Sequence, residues 1–410
     1  MPALLSSPRL LSTMLFLSPA SAYSVPYRAS SRAAVQMVAA APPPLSAAEL
    51  RNTPNPIVKP GEEQILLRAA MGEEVARPPV WLMRQAGRYM ASFREFSEKI
   101  EFRQRSETPE IAIELSLQPW RAFGVDGVIM FSDILTPLPA MGVEFDVVRG
   151  KGPVISSPLR NMADVRSLPL AHVAALTPLD DPLTKLPFIN TILSSLRAET
   201  AGQATLLGFV GSPFTLVAYS VEGSANRHCI NTKKMMTAAP EVLHAALDHI
   251  STGIADEAVH PILRELGPPS RALTVQHLRQ TVRTASYADK AMRIVKERHP
   301  EVPVMYYTNG GSSYLERQAD MACDVLAVDW AVDMVSGRRA RAREILGKER
   351  VLQGNVDPTL LFGTDEQIQE GVRDCVTKAG KRHILNLGHG VLQGTPEGAV
   401  QAFVDAAKSS

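Results

Sequence analysis

Short apolar runs alternate with longer stretches of helical spacing along most of this chain, from about residue 64 to its carboxyl end. Such alternation is typical of βα units arranged around a parallel sheet, so the sequence predicts an α/β fold. The candidate strands are 80–83, 127–131, 205–210, 302–307, 325–329, 351–353 and 383–387. The candidate helices are 109–123, 187–200, 240–254, 287–298 and 365–379.

Polar residues and glycines follow the carboxyl ends of several candidate strands. Asp133 comes shortly after the second run, Gly211 and Ser212 follow the third, and His389 stands between two glycines after the last. In a barrel of parallel strands, the carboxyl ends of the strands together form the active face. We therefore predict a single (β/α)8 TIM-like barrel over residues 64–410, although the pattern supplies only seven of the eight strands.

Arg84 and Arg88 are the strongest candidates for binding an anion. They follow the first candidate strand, with Gly87 between them and no acidic residue until Glu95. An arginine keeps its charge and offers a fork of N–H donors that matches a carboxylate. Two solvated arginines in a turn are the alternative reading, because exposed arginine is common on protein surfaces.

Four motifs carry a resemblance to a known family. They are WLMRQAGRY at 81–89, FSDIL at 131–135, GFVGSPFTLVAYSVEG at 208–223 and NLGHG at 386–390. In this order they resemble the uroporphyrinogen decarboxylase family, and the resemblance runs from about residue 64 to 408. It implies a somewhat distorted barrel, a homodimer, and decarboxylation of the four acetate side chains of uroporphyrinogen III to give coproporphyrinogen III. It also implies that the reaction uses no metal and no organic cofactor.

The resemblance gives roles to particular residues of these motifs. Asp133 would accept hydrogen bonds from the pyrrole N–H groups and stabilise a cationic intermediate. Arg84 and Arg88 would anchor substrate carboxylates. Arg84 is also a candidate proton donor, but a guanidinium gives up its proton so reluctantly that anchoring is the better interpretation. The residues between the arginines would contribute backbone contacts: Gln85, Ala86 and Gly87.

Two further residues complete the expected site. Tyr219 would donate to a substrate carboxylate or to Asp133, and His389 would contact a substrate carboxylate. Without the motifs, each residue has an ordinary interpretation: Asp133 as a helix cap, Tyr219 as a core tyrosine, and His389 as a strand-end histidine. Phe93 and Phe131 are expected to line the substrate cavity or to pack in the core.

One stretch, from about residue 255 to 286, departs from the family pattern. The family has an apolar strand there that ends near Phe-Asp-Ser-Trp, whereas this chain has Gly-Pro-Pro at 267–269 and then no compact β-branched run. We therefore expect the eighth strand and a substrate-binding Ser or Thr to be missing, since Ser270, Thr274 and Ser286 match no motif. A shifted reading frame is one hypothesis for this stretch, and true divergence is the other.

The amino-terminal 48 residues contain no Asp or Glu. Arg9, an apolar run and the Ala-Ser-Ala at 20–22 predict a signal peptide over 1–22. The segment 23–48 contains Ser and Arg without acids, which predicts a transit peptide, and the proline-containing segment 49–63 predicts a linker. The tandem arrangement resembles the bipartite presequence of algae with complex plastids and predicts delivery to the plastid stroma. A plain secretory signal is the alternative.

Composition limits the partners that this protein can have. Its formal net charge of +1 provides no global field for nucleic acid or a membrane surface, so an anion site must concentrate arginine locally. The three cysteines, Cys229, Cys323 and Cys375, are far apart and predict a reduced compartment without disulfides. With the resemblance, this predicts a small-molecule substrate and a second copy of the chain as partners, no nucleic acid, and no membrane insertion of the mature protein.

Two alternative functions remain open on the sequence. A zinc-dependent methyltransferase with the same barrel would need Cys and His ligands at strand ends, and His228-Cys229 is the only adjacent pair of that kind. A tetrapyrrole-binding paralogue with impaired catalysis is favoured by the atypical stretch 255–286. The presence of all the expected catalytic residues argues against that second alternative.

Overall fold

A computed structural model describes residues 44–148, 150–169, 186–255, 271–278, 285–334 and 342–410. The predicted signal peptide and most of the predicted transit peptide, up to residue 43, lie outside these ranges. The strands are β1 (Gly127–Ile129), β2 (Phe145–Val148), β3 (Gly152–Ile155), β4 (Thr205–Gly211), β5 (Arg271–Leu278), β6 (Val304–Asn309), β7 (Val325–Ala327), β8 (Val351–Gln353) and β9 (His383–Ile384). The helices are α1 (Ala47–Asn52), α2 (Ile65–Ala70), α3 (Ala91–Ser97), α4 (Phe102–Glu107), α5 (Pro109–Phe123), α6 (Met162–Arg166), α7 (Pro187–Thr200), α8 (Pro213–Glu222), α9 (Ile230–Ala238), α10 (Pro240–Gly253), α11 (Ala285–Arg298), α12 (Leu315–Gln318), α13 (Ala342–Leu346), α14 (Asp365–Ala379) and α15 (Glu397–Lys408), with 3₁₀ turns at Ser312–Tyr314 and Pro358–Phe362.

The predicted helices are present at or near their predicted bounds. Helices α5, α7 and α14 begin and end where the sequence predicts, α10 ends one residue early, and α11 begins two residues early. Pro109 and Pro187 occupy first helical positions, where the missing N–H would have had no partner within the helix. Thr364 and Gln367 form a reciprocal capping box that starts α14. Local capping signals therefore explain why these bounds are predictable.

Seven strands pair in parallel in the order β1-β4-β5-β6-β7-β8-β9. This confirms the predicted α/β class, and the nearly complete burial of β4, β7 and β8 is typical of strands covered on both faces. The antiparallel hairpin of β2 and β3 lies outside this sheet and was not predicted. Among the described residues, no helix is both long enough and apolar enough to cross a membrane.

Residues 77–83, called the closing segment below, close the sheet on itself. On the β9 side, Val80 forms one parallel bridge with Leu385, whose N–H donates to Pro79 O at 2.8 Å. On the β1 side, the N–H of Asp126 donates to Val80 O at 2.8 Å. This segment therefore forms hydrogen bonds with both edges of the seven-stranded sheet and takes the position of the eighth strand of a barrel.

Side chains replace much of the strand ladder in this closing segment. The carboxylate of Asp126 accepts from the N–H of Val80 at 2.7 Å, and Asn386 Oδ1 accepts from the N–H of Met83 at 2.9 Å. For this reason the predicted strand 80–83 lies in the expected place but has a single bridge in place of a regular ladder.

An apolar cluster fills the barrel interior beside α2. Its buried members come from the closing segment, from five strands and from α2: Trp81, Leu207, Met305, Val325, Val351, Ile384, Leu66, Ala69 and Ala70. Because these side chains come from strands on all sides of the barrel, they fill its interior, which is a packed core and not a pore. Trp81 also donates its indole N–H to Gln353 Oε1 at 2.9 Å, which satisfies its buried polar atom.

The prediction that residues 255–286 lack a strand is wrong. Strand β5 pairs in parallel with β4 and with β6, and its register places Val275 opposite both Val210 and Tyr306. The Gly-Pro-Pro at 267–269 precedes this strand and therefore does not interrupt it. The run Leu273-Thr274-Val275 supplies apolar and β-branched residues that suit a central strand. Residues 279–284, which follow this strand in the sequence, lie outside the described residues.

The predicted linker 49–63 is packed against the rest of the chain. Helix α1 starts with Ser46 as its cap, and Leu50 is 1% exposed. The N–H of Val58 donates to Gln203 Oε1 at 3.0 Å, and Asn55 Nδ2 donates to Glu199 O at 3.1 Å. Prolines in this segment thus end a short helix without making a free linker, and the folded body begins before residue 64.

A buried ion cluster fixes the closing segment to β1. Arg77 donates from both terminal nitrogens to the carboxylate of Asp126, each at 2.8 Å, and its Nε and Nη2 donate to Glu62 at 3.1 and 2.8 Å. The side chains of Arg77 and Asp126 are 6% and 2% exposed. Removing one partner of such a pair leaves an uncompensated buried charge.

We predict that Arg77→Met lowers the free energy of unfolding by about 3 kcal/mol or more, because Asp126 and Glu62 then lose their shared cation. Chemical denaturation monitored by circular dichroism measures this loss. Arg293→Met is the matched control, since Arg293 pairs with Asp289 on the surface and should cost less than about 1 kcal/mol. Equal losses in the two variants would contradict the role of the buried cluster.

Candidate active site

Four of the predicted site residues come together at the carboxyl ends of the parallel strands. Arg84 follows the closing segment, Asp133 follows β1, Tyr219 lies in α8 directly after β4, and His389 follows β9. The charge of Arg84 acts on the pKa values of Asp133, Tyr219 and His389, which places the four groups within electrostatic reach of one another. The motifs that are far apart in sequence therefore form one site.

Arg84 adopts a backbone conformation that is unusual for a residue with a side chain. Its φ is 62°, in the left-handed region, and it lies in a turn in which the N–H of Gln85 donates to Leu82 O at 2.9 Å. Its side chain crosses the backbone of Gly390, because a Cβ added at Gly390 would lie 2.3 Å from Arg84 Cδ. A side chain at Gly390, the second glycine of the NLGHG motif, would clash with the side chain of Arg84, so this position requires glycine.

Gln85 supports this turn from within the barrel wall. Its side chain is fully buried, accepts from the N–H of Leu82 at 3.2 Å and donates to Gly127 O at 2.9 Å. Its carbonyl accepts from the hydroxyl of Tyr89 at 2.8 Å. The polar groups of Gln85 are therefore engaged within the protein, whereas Ala86 and Gly87 are partly exposed.

Asp133 has one carboxylate oxygen that is bonded within a turn and one that has no donor among the described residues. Oδ1 accepts from the N–H of Leu135 at 2.8 Å, and the N–H of Asp133 donates to Thr136 Oγ1 at 3.1 Å. Among the described residues, none donates a hydrogen bond to Oδ2. Burial raises the pKa of Asp133, while the Leu135 N–H and the charge of Arg84 oppose that rise. Residues 134–142 form turns and no helix, so Asp133 is not a helix cap; its bond to Leu135 is compatible with a role in the site.

Tyr219 contributes a hydroxyl that stays protonated. It lies partly exposed on α8, and burial together with the nearby charge of Asp133 raises its pKa. A protonated phenol is a hydrogen-bond donor, so Tyr219 can donate to an anion at this end of the barrel.

His389 is held by Tyr307, a residue that the sequence analysis did not assign to the site. The Tyr307 hydroxyl donates to Gly388 O at 3.0 Å and lies 3.2 Å from His389 Nδ1, with the two rings stacked at 6.4 Å. Because that hydroxyl proton points to Gly388, Nδ1–H of the neutral histidine donates to the tyrosine oxygen and Nε2 is left as an acceptor. Tyr307 ends a predicted strand, so the strand-end rule that selected His389 would also have selected it.

The protonation of His389 is controlled by its surroundings. Burial lowers its pKa, the charge of Arg84 lowers it further, and Asp329 opposes both effects. Asp329 also joins the loops after β6 and β7 by accepting from the N–H of Gly310 at 2.5 Å. Trp330, which is 44% exposed, has its ring centre 5.7 Å from that of His389. The histidine is therefore neutral at physiological pH and lies beside an exposed aromatic ring.

The chain matches the protein-family model of uroporphyrinogen decarboxylase (URO-D) over residues 62–265 and 270–410. It is 48% identical over 351 residues to the uroporphyrinogen decarboxylase of Crocosphaera subtropica, across 84% of this chain and 95% of that protein. It is 47% identical to the corresponding protein of a Synechocystis species, across 84% of this chain and 96% of that one. The family match is interrupted only at 266–269, so most of the stretch that we expected to be atypical lies within it.

A solved structure of a methyltransferase from Methanosarcina mazei has a similar fold, with a TM-score of 0.66 and 18% sequence identity. The similarity covers 85% of this chain and 98% of the methyltransferase, and at this sequence identity it shows a shared fold only. Within the ranges that the structure describes, no three His, Cys, Asp or Glu side chains come together in a group that could hold a metal ion. The family match does not favour the methyltransferase alternative.

We predict that Arg84→Gln raises the pKa of His389 toward its ordinary value of about 6.5, because a nearby cation that opposes protonation is removed. Carbon-13 NMR of the histidine ring during a pH titration measures the change, and loss of the signal in His389→Gln assigns it. Arg293→Gln, which changes a surface arginine in α11, should leave the titration as it is. An unchanged pKa in Arg84→Gln would contradict the placement of the guanidinium beside His389.

Proposed function

This chain belongs to the uroporphyrinogen decarboxylase family, and on that premise we propose that it converts uroporphyrinogen III to coproporphyrinogen III by removing four acetate carboxyl groups as CO2. One observation carries the proposal for this chain: the groups of all four family motifs meet at the carboxyl ends of the barrel strands. The reaction belongs to tetrapyrrole biosynthesis, and in our proposal it requires no metal and no organic cofactor.

The proposed chemistry uses the substrate ring itself as the electron acceptor. Protonation of a pyrrole carbon gives a ring that carries positive charge. The bond between the acetate CH2 and its carboxylate then breaks, its electron pair moves into the cationic ring, and CO2 leaves. A proton added to the CH2 makes a methyl group, and loss of the first proton restores the pyrrole. The protein must therefore bind several carboxylates and stabilise a transient cation.

Asp133 is the proposed counter-ion for that cation. Its Oδ2 is free of described donors, so it can accept hydrogen bonds from the pyrrole N–H groups while Oδ1 keeps its bond to Leu135. Its partial burial strengthens the attraction between the carboxylate and a positive ring, since water screens the two charges less there. Binding of a cation would also favour the ionised form of this carboxyl group.

The proposed anchors surround Asp133 with positive and donor groups. Arg84 and Arg88 bind substrate carboxylates through their guanidinium groups, and we assign Arg84 to anchoring and not to proton transfer. Tyr219 donates its hydroxyl to a carboxylate or to Asp133. His389 differs from the expectation that it contacts a carboxylate: its Nδ1–H donates to Tyr307, so Nε2 is an acceptor and contacts an N–H or a protonated carboxyl group of the substrate. Backbone groups of Ala86 and Gly87 complete the contacts near the arginines, whereas those of Gln85 are already engaged.

The alternative of a binding protein with impaired catalysis has lost its main support. That alternative depended on a missing strand, and β5 occupies the expected place between β4 and β6. The substrate-binding Ser or Thr that the resemblance implies is not assigned, because residues 279–284 lie outside the described residues.

We also propose that the mature enzyme is a plastid homodimer delivered by a bipartite presequence. The acid-free residues 1–48 support delivery. Because α1 begins at Ala47 with Ser46 as its cap, we place the end of the transit peptide before Ser46 and not at residue 48. A fluorescent protein fused to residues 1–46 should enter the plastid of an alga with complex plastids, and a fusion to 1–22 alone should be secreted.

Light scattering of the purified protein tests for the proposed homodimer, and a monomeric mass would refute it.

We predict that Asp133→Asn lowers turnover of uroporphyrinogen by about 100-fold or more, because the amide keeps the turn but loses the negative charge. Anaerobic assay of coproporphyrinogen formation measures the change, and circular dichroism checks the fold. Asp146→Asn makes the same chemical change on the exposed strand β2 and should retain wild-type turnover. Wild-type turnover in Asp133→Asn would refute the role of Asp133 as counter-ion.

A further inference from the structure

Arg105 is a buried arginine that forms no ion pair with any carboxylate of the described residues. It lies in α4 and is 8% exposed, its Nε donates to Ile100 O at 3.0 Å, and its Nη1 is buried without a hydrogen-bond partner. By contrast, Arg77 pairs with two carboxylates, and the similarly buried side chain of Arg121 also pairs with two. Among the described residues, no carboxylate lies within ion-pair distance of Arg105.

Aromatic rings hold the guanidinium of Arg105 in place. Its Cζ lies 5.4 Å from the ring centre of Phe93, 5.3 Å from that of Phe102 and 5.8 Å from that of Phe131. The faces of aromatic rings attract a cation, so this cage offsets part of the cost of burying the charge. Burial nevertheless lowers the pKa of Arg105 and the nearby charge of Arg88 lowers it further, while the charge of Glu101 opposes both effects. The cation is therefore fixed in position but incompletely compensated.

Phe93 and Phe131 are buried in the apolar core, on segments that adjoin residues of the proposed active site. Phe131 is two residues before Asp133, and Phe93 lies on α3, which follows the turn of Arg88. The rings of Phe93 and Phe131 meet edge to face with centres 5.6 Å apart. Arg105 is thus linked to the site through its aromatic neighbours and through the charge of Arg88.

We propose that Arg105 binds one carboxylate of the tetrapyrrole substrate and, with Arg88, forms a second carboxylate anchor beside that of Arg84. The proposal rests on the function proposed above, since it takes a polycarboxylate as the ligand. A buried cation without a close carboxylate costs free energy in the free protein, and a carboxylate that binds the guanidinium recovers part of this cost. A buried, charge-assisted contact of this kind discriminates in favour of substrates that carry a carboxylate at that position.

The test compares Arg105→Met with Arg105→Lys in binding of uroporphyrin, the oxidised and unreactive form of the substrate, followed by fluorescence. Arg105→Met should raise the Kd by about 10-fold, because it removes a charge-assisted hydrogen bond. Its thermal midpoint without ligand should be unchanged or higher, because an unpaired buried charge is replaced by an apolar chain among aromatic rings. Arg105→Lys keeps the charge but loses the fork, so its Kd should lie between those of the wild type and Arg105→Met.

Arg103→Met is the matched control on the same helix. Arg103 already pairs with Glu107 at 2.7 Å, donates to Phe145 O at 2.8 Å and lies over one ring, that of Phe145, at 5.2 Å. Its replacement should leave the Kd for uroporphyrin within about twofold of the wild type, because its charge already has a partner and is not available to the ligand.

A wild-type Kd in folded Arg105→Met overturns the proposal. So does loss of the fold in both Arg105 variants, which would give Arg105 a structural role. Turnover of uroporphyrinogen by the wild type is measured separately. A wild type that binds uroporphyrin but releases no CO2 would contradict the proposed decarboxylation and leave the binding result for Arg105 valid.

Discussion

The parallel sheet of this protein closes through side chains as much as through strands. The segment after Arg77 has one bridge to Leu385 and a backbone bond from the Asp126 N–H to Val80 O, and the carboxylate of Asp126 and the amides of Gln85 and Asn386 bind it as well. A regular ladder would hold the backbone extended up to its last residue. Side-chain fastening instead allows the chain to turn immediately after Met83, and that turn gives Arg84 its left-handed conformation at the mouth of the barrel. The whole site depends on this closure, because Arg84 influences each of its titratable groups.

The positive charge of Arg84 influences the protonation of three neighbouring groups of the site, Asp133, Tyr219 and His389. Arg84 opposes the effect of burial on Asp133 and so favours the carboxylate, whereas it adds to the effect of burial on His389 and so favours the neutral imidazole. Tyr219 remains a donor because burial and Asp133 both raise its pKa. The site therefore offers cations and donors to the carboxylates of a substrate, and one carboxylate to a cation that forms on its ring. That division suits a decarboxylation in which positive charge develops on the substrate.

Helix bounds could be predicted from the sequence because residues close to each helix end determine them. The bounds of α14 follow from a capping box at its start, and α5 follows from a first-turn proline and a final glycine, Gly124. Residues with polar side chains after strands predicted Asp133 and His389. The closing role of Asp126, the buried side chain of Gln85 and the ring cage of Arg105 were not predicted, because each depends on contacts between segments far apart in sequence. Strand β5 was missed because its apolar run contains charged and polar residues, and parallel partners on both sides now account for its formation.

The central claim is that this barrel performs the decarboxylation and does not merely bind the substrate. The most direct measurement is anaerobic incubation of the purified protein with uroporphyrinogen III, with the released CO2 and the carboxyl count of the products both quantified. We predict four CO2 for each tetrapyrrole, coproporphyrinogen III as the final product, and no effect of a metal chelator. Recovery of unchanged uroporphyrinogen from a folded protein that binds it would contradict the account.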